Sequence, residues 1–242
     1  MIRFFLIPVY NESENLGQLA GNLCGIPLKD KCFVFADDCS TDDTVDKINA
    51  LWKGQNYHII RKVKNSGPGD SFNKGFEWIL QQSSSDSDII ITLEGDNTSD
   101  LAILPDMLAI SGLGYDLVLA SVYAQGGGFV KTSLARRLLS FFANMLLRTI
   151  FNVKILTLSS FYRIYHVHLV KAIKSKYQVI IEEKGFISML EILLKAISLK
   201  ARIIEVPMIL NTDKRRGKSK MKRLKTALSY LRFLFCYSKK FK

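Results

Sequence analysis

Glu94 and Asp96, one residue apart, close the apolar run Ile89-Ile90-Ile91-Thr92-Leu93 and open a turn with Gly95, Asn97 and Asp100. A β-branched run of this kind is expected to form a buried strand. Carboxylates at the end of a parallel strand face the crevice where open α/β sheets bind ligands. Two hard oxygen donors there suit Mg2+ or Mn2+ bridging to a phosphate-bearing substrate. Asp, Asn and Gly also build ordinary turns, so this stretch alone admits either reading. A second acidic stretch, Asp37-Asp38-Cys39-Ser40-Thr41-Asp42-Asp43, ends another apolar run, and a cation is its natural companion too.

Positioning such loops requires strands that end together. Strands are expected at Ile2–Pro8, Cys32–Ala36, Tyr57–Arg61, Asp88–Leu93, Asp116–Val122, Ser159–Tyr165 and Ala201–Val206. Between them, apolar residues recur at helical spacing: Leu16, Leu19, Ala20 and Leu23; Val45, Ile48, Leu51 and Trp52; Phe72, Phe76, Ile79 and Leu80. A helix is expected at Leu101–Ile110, disturbed by Pro105, and another at Gly185–Ile197. Asn11, with Glu14 three residues on, reads as a capping box for the first helix. Alternating strands and amphipathic helices predict an α/β fold with a mainly parallel sheet. Crossovers of one hand then gather the loops Pro8–Glu12, Ala36–Asp42, Asn65–Gly69 and Glu94–Thr98 at one rim.

Past Gln125-Gly126-Gly127-Gly128 the chain becomes more basic and more lipophilic. Lys131–Asn152 is expected to be a helix. Leu134, Leu138, Phe141, Phe142, Met145, Leu146 and Ile150 fall on one arc, with Arg136, Arg137 and Arg148 opposite. It reads equally as a core helix with a solvated basic face or as an interfacial helix whose arginines meet head-group phosphates. Asn211–Lys220 is densely basic, and a final helix is expected with Met221, Leu224, Leu228, Leu231 and Phe235 on one stripe. These segments suit a peripheral membrane anchor. A nucleic-acid partner is not expected, because the aromatics lie on helix faces and not on a strand platform.

The surplus of 34 Lys+Arg over 22 Asp+Glu, a net charge of +12, calls for an anionic partner. Cys24, Cys32, Cys39 and Cys236 show no C-x-x-C pairing and read as free thiols in a reducing compartment. His166 and His168, two apart on a strand-like segment, read as structural. The N-terminus is too quickly polar for a signal peptide, and no stretch approaches the ~20 apolar residues of a membrane span.

Laid out in order, these loops resemble the family 2 glycosyltransferases, and within them the dolichol-phosphate mannosyltransferase and polyprenyl-phosphate glycosyltransferase branch. Pro8-Val9-Tyr10-Asn11-Glu12 resembles the family's P-x-Y-N-E, and Asp37 to Thr44 its D-D-x-S-x-D-x-T. Asn65-Ser66-Gly67-Pro68-Gly69 resembles the N-x-G-x-G turn, and Glu94-Gly95-Asp96 stands at the metal-binding D-x-D. Asp116 to Ser121 resembles the strand before the acceptor loop, and Arg215-Arg216-Gly217-Lys218-Ser219-Lys220 the G-x-S-K segment near the donor diphosphate. The chain departs from the branch at Val122 (usually Arg), Thr157 (usually Asp), Phe161 (usually Gly) and Glu94 (usually Asp).

The resemblance implies a GT-A fold (Rossmann-like, a mainly parallel mixed sheet), a GDP- or UDP-sugar donor, Mg2+ or Mn2+, and inversion at the anomeric carbon. It divides the chain into a GT-A domain over 1–210 and, over 211–242, a basic donor-phosphate loop with an amphipathic helix. By position, Pro8, Tyr10, Glu12, Asp37, Asp38, Asn65 and Gly69 would hold the nucleotide. Asp96 would hold the metal with Glu94 assisting. Arg215, Arg216, Ser219 and Lys220 would face the diphosphate. For a polyprenyl phosphate acceptor, Arg136, Arg137 and Arg163 are the cations expected to bind its phosphate. For a saccharide hydroxyl, a carboxylate base is needed, and Glu191 is either that base or an arginine's partner. The expectation is a metal-dependent hexosyltransferase, cytoplasmic and peripheral on the cytosolic membrane face, with a membrane-anchoring partner protein to be considered. The competing readings are a transferase acting on glycan hydroxyls and a non-catalytic basic binding module.

Overall fold

The computed structural model describes residues 1–217, 229–230 and 232–234, without the side chains of Ala135, Arg136 and Leu139. Ser219, Lys220, Cys236 and most of the expected final helix lie outside the described residues.

Four strands open the sheet: β1 (Arg3–Val9), β2 (Lys31–Asp37), β3 (Tyr57–Arg61) and β4 (Ile89–Thr92), of which β1, β2 and β4 are buried on both faces while β3 is a partly exposed edge strand. They pair in parallel in the order β3-β2-β1-β4, with Leu6 of β1 opposite Val34 and Thr92. Each is followed by a helix or turn that returns the chain: α1 (Leu16–Cys24), α2 (Thr44–Leu51), α3 (Pro68–Gln82) and α4 (Leu104–Gly112). Pro105 does not break α4. It sits in the first turn, where the missing N–H has no intrahelical partner to lose.

β5 (Leu117–Ser121) continues the parallel set, and β8 (Ile203–Pro207) pairs with it in parallel. Between β4 and β5 lies β7 (Arg163–His166), antiparallel to both. From Ser121 at the rim, the chain runs through β6 (Gly128–Val130), α5 (Leu134–Phe151) and an irregular segment, and enters the sheet from the rim end. Hence β7 must run backwards. The expected strand from Ser159 begins only at Arg163. The His-x-His pair is split, because His166 closes β7 while His168 lies in α6 (Val167–Tyr177), a helix without a sequence expectation. His166 meets Ser111 and His168 meets Asp116, so both are structural.

Two cores flank the sheet. Phe5, Ile7, Phe33, Phe35 and Trp52 pack under α1, α2 and α4. Phe4, Leu6, Phe72, Phe76 and Tyr165 pack under α3, α6 and α7 (Ser188–Ser198). A short second sheet pairs β6 with β9 (Ile209–Asn211), so position 210 falls inside a strand. Cys24, Cys32 and Cys39 are free thiols, and burial pushes Cys32 up to about 11.

Candidate active site

The first two rim loops are laced together by short polar side chains. Asn11 takes a left-handed conformation (φ 52°) and accepts the Thr41 N–H at 2.8 Å, while its own N–H donates to Ser40 Oγ. The capping-box expectation is therefore corrected: α1 begins at Leu16, and Asn11 serves the neighbouring loop. The Glu12 N–H donates to Thr44 Oγ1 at 2.8 Å, and Asp42 holds Thr44 and Ser13. Asp37 accepts the Ser40 N–H with both oxygens. Pro8, Tyr10 and Glu12 are half-buried at this junction.

The loop after β4 packs directly against it. A Cβ added at Gly95 would lie 3.2 Å from the Val9 side chain and 3.4 Å from the Pro8 carbonyl, so glycine lets the acidic turn pack here without displacing its neighbours. Asp96 is buried and accepts the Thr98 N–H and hydroxyl at Oδ1. Its Oδ2 receives the guanidinium of Arg215, with Nε at 2.6 Å. Glu94 accepts the Ser99 hydroxyl. Crowding strips water from the Glu94 carboxyl and, with the Asp96 charge beside it, pushes it up to about 7. A cleft of about 270 Å³ opens beside Glu94, with Asn22, Asn97, Ser99, Asp100 and Lys214 among its walls.

Arg215 reaches Asp96 because Asn15 holds the residue after it. Asn15, buried at the entry to α1, accepts the Arg216 N–H at 2.8 Å and donates to the Arg216 carbonyl at 3.1 Å. The same amide donates to Glu12 at 2.6 Å, and the Asn15 carbonyl accepts Asn97 Nδ2 at 2.9 Å. One asparagine thus joins three rim loops. Asn15 carries no charge and no motif position, so nothing in the sequence alone singles it out. The Arg216 side chain is exposed.

Four expected site residues have other work. Asp38 accepts the N–H groups of Ser66 and Gly67, each at 2.7 Å, and pairs with buried Lys62 at 2.7 Å, so it builds the third rim turn. Lys62 also bridges to Asp70 at 2.7 Å. Gly69 packs against the segment before α7, where an added Cβ would sit 1.9 Å from the Glu183 carbonyl. Asn65, in the same turn, is exposed. Arg163 lies wholly inside, donating to the carbonyls of Ser160, Leu158 and Met189 and to the Tyr165 hydroxyl. A guanidinium so placed binds the irregular segment before β7 and has no face for a phosphate. Glu191 is equally buried. It accepts the N–H groups of Glu182 and Glu183 and pairs with Lys195 at 2.6 Å, so its partner is a lysine one helical turn on.

Most of the apolar arc of helix α5 faces outward among the described residues, while Ile150 packs against the core. Asn144, Leu147 and Phe151 face inward, while Leu134, Leu138, Phe141, Phe142, Met145 and Leu146 are each 47–68% exposed. Arg137 is exposed, with its guanidinium over the Phe129 ring. The start of this helix is tied to the Arg215 segment: Lys131 pairs with Asp213 at 2.8 Å, and Thr132 meets Thr212. Among the described residues no helix is long and apolar enough to cross a membrane.

Among the described residues no three His, Cys, Asp or Glu side chains converge on a metal-sized centre. Asp96 and Glu94 still fit a hard divalent ion, which commonly takes one or two carboxylates and completes its shell with substrate phosphates and water. That Asp96 already carries a cationic group shows the position accepts positive charge.

A mostly parallel sheet with nucleotide-type loops at its rim, an acidic turn and a basic segment over it define a GT-A glycosyltransferase. Residues 4–174 match the model of glycosyl transferase family 2, and the chain belongs to that family. It is 28% identical over 218 residues to an undecaprenyl-phosphate mannosyltransferase of Micrococcus luteus, covering 89% of this chain and 86% of the relative. It is 28% identical over 219 residues to a polyprenol monophosphomannose synthase of Mycolicibacterium smegmatis, covering 89% and 79%. Glucosyl-3-phosphoglycerate synthase from Mycobacterium tuberculosis, solved with Mn2+ and uridine-diphosphate-glucose, shares the fold at a TM-score of 0.68 and 16% identity, over 98% of this chain and 78% of that one. Family membership removes the non-catalytic module.

Proposed function

We propose that this enzyme transfers a sugar, with inversion, from a nucleoside-diphosphate sugar to a polyprenyl phosphate at the cytosolic face of a membrane. The observation that carries the reading is the tie between two features: the segment placing Arg215 on Asp96 is joined through Asp213 and Thr212 to the start of α5, the helix with an outward apolar face. The relatives in Micrococcus luteus and Mycolicibacterium smegmatis, named for undecaprenyl phosphate and polyprenol, support the same acceptor class.

In this reading Pro8, Tyr10 and Glu12, with the Asp37–Thr44 loop laced to them, form the floor under the nucleotide. Asp96 holds Mg2+ or Mn2+, with Glu94 assisting from the edge of the cleft. The bound ion supplies positive charge against the diphosphate leaving group. Arg215 and Arg216 add cationic charge to the same end of the donor. A lipid phosphate is already anionic near neutral pH, its second pKa being about 6, so attack needs no general base. That agrees with Glu191 being consumed by Lys195 and two backbone amides. Arg137, exposed at the start of α5, is the expected arginine left among the described side chains to meet the acceptor phosphate, and the apolar arc beside it enters the acyl boundary.

The test is turnover by the full chain with Mn2+, undecaprenyl phosphate in vesicles, and GDP-mannose or UDP-glucose, followed as labelled lipid. Transfer to a saccharide hydroxyl with none to the lipid phosphate would overturn the acceptor.

A further inference from the structure

Among the described residues Asp96 takes its one long-range charge contact from Arg215, and that contact is built rather than incidental. Arg215 is half-buried, and the backbone of the next residue is clasped on both its N–H and its carbonyl by one buried amide, Asn15. Gly217, at φ 81°, lets the chain turn away directly afterwards. Oδ1 of Asp96 is already spent on Thr98, so Oδ2 is the oxygen left for a second cation, and it is the one Arg215 covers.

We propose that Arg215 is the resident counter-cation of Asp96 in the donor-free enzyme, held by the Asn15 clasp and displaced when metal and donor arrive together. The inference rests on Asp96 being the metal carboxylate and adds what happens before the metal binds. Two cations compete for Oδ2, so a divalent ion alone binds weakly. A diphosphate offers the guanidinium another anion, bidentate and planar-matched, and so relieves the competition. Metal and nucleotide therefore load cooperatively, and a buried carboxylate is never left unpaired.

The test is Mn2+ binding by the full chain, read from the electron paramagnetic resonance of free Mn2+, with and without GDP or UDP. Without nucleotide, Arg215→Gln should bind Mn2+ about tenfold more tightly than wild type, and nucleotide should strengthen Mn2+ binding less in the variant. Asn15→Ala, which leaves Arg215 intact but frees its segment, should move Mn2+ affinity in the same direction. Circular dichroism checks that both variants are folded. If Arg215→Gln binds Mn2+ no more tightly than wild type while Asp96→Asn abolishes binding, the competition is overturned and the metal site stands. If Asp96→Asn leaves Mn2+ binding of the Arg215→Gln protein unchanged, both readings fall.

Discussion

The guanidinium of Arg215 rests on the carboxylate of Asp96, Nε to Oδ2 at 2.6 Å, across 119 positions of sequence. The pair brings the basic segment onto the acidic turn and marks Asp96, more than Glu94, as the charge centre of the site.

Asp96→Asn should lower kcat by about 10²- to 10³-fold, the usual cost of losing one main electrostatic group at a developing charge. Steady-state turnover at saturating Mn2+ is the measurement. Glu94→Gln should cost less, because Glu94 faces the side cleft and accepts from Ser99.

Glu191 and Lys195 form an ion pair with no exposed side-chain surface on either partner. Removing one partner of such a pair leaves a buried charge uncompensated and costs about 3–5 kcal/mol. Lys195→Met should therefore unfold at markedly lower urea than wild type, and Glu191→Gln/Lys195→Met should recover part of the loss. A general base would behave differently: Glu191→Gln would then lose kcat with no change in urea midpoint.

Gly69 and Gly17 should respond oppositely to alanine. At Gly69 the new Cβ meets the Glu183 carbonyl at 1.9 Å, and the segment before α7 has to move. At Gly17, on the exposed face of α1, nothing lies within 4 Å. Gly17→Ala should stabilise by about 0.4–1 kcal/mol, whereas Gly69→Ala should lower the melting temperature clearly. Thermal unfolding of the two variants decides.

Phe141→Ser/Phe142→Ser removes two rings from the outward arc of α5 without entering the core, since both are about half exposed (49% and 55%). Co-sedimentation with anionic vesicles should fall several-fold while the urea midpoint stays within about 0.5 kcal/mol of wild type. Unchanged sedimentation would remove α5 from the membrane contact.

Asp116 supplies an acid-sensitive part of the stability. Burial raises its carboxyl, but the Arg202 N–H at 2.7 Å, His168 and the Arg202 charge outweigh this and hold it below the ordinary range. A depressed carboxyl contributes stability above its unfolded pKa, near 4, and loses it as pH falls through the lower folded value. Asp116→Asn should thus melt below wild type at pH 7, with the gap closing as pH falls below about 4.

Much of the rim could be read along the chain. The strand at Tyr57–Arg61 appears as expected. The acidic turns stand at the ends of β2 and β4, because burial of those two strands on both faces imposes apolar runs that end where the loops begin. Pro105 resembles a helix break from its neighbours alone, but in the first turn of α4 it is tolerated. β7 is shorter than the strand expected from Ser159, and its antiparallel direction has no signal in the sequence. Nothing in Arg163-Ile164-Tyr165-His166 marks a direction, and only the path of α5 outside the sheet forces the strand to run backwards.

The residues themselves determined which groups could do chemistry: two carboxylates on a glycine turn, polar loops in a family's order, and a basic segment with an apolar helix. Tertiary structure decided which of those groups are free to do it. Arg163, Glu191, Asp38 and Gly69 carry motif signatures, yet each is held by structural partners: Asp38 and Gly69 by segments distant in sequence, Arg163 and Glu191 mainly by their own neighbourhood. Asn15 has no signature and clasps Arg216 from 201 positions away. Charge and spacing can be read along the chain, whereas the desolvation and hydrogen-bond partners that commit a side chain to structure or leave it for substrate are set by how the chain folds around it, from near residues such as Lys195 beside Glu191 and from distant ones such as Asn15 beside Arg216.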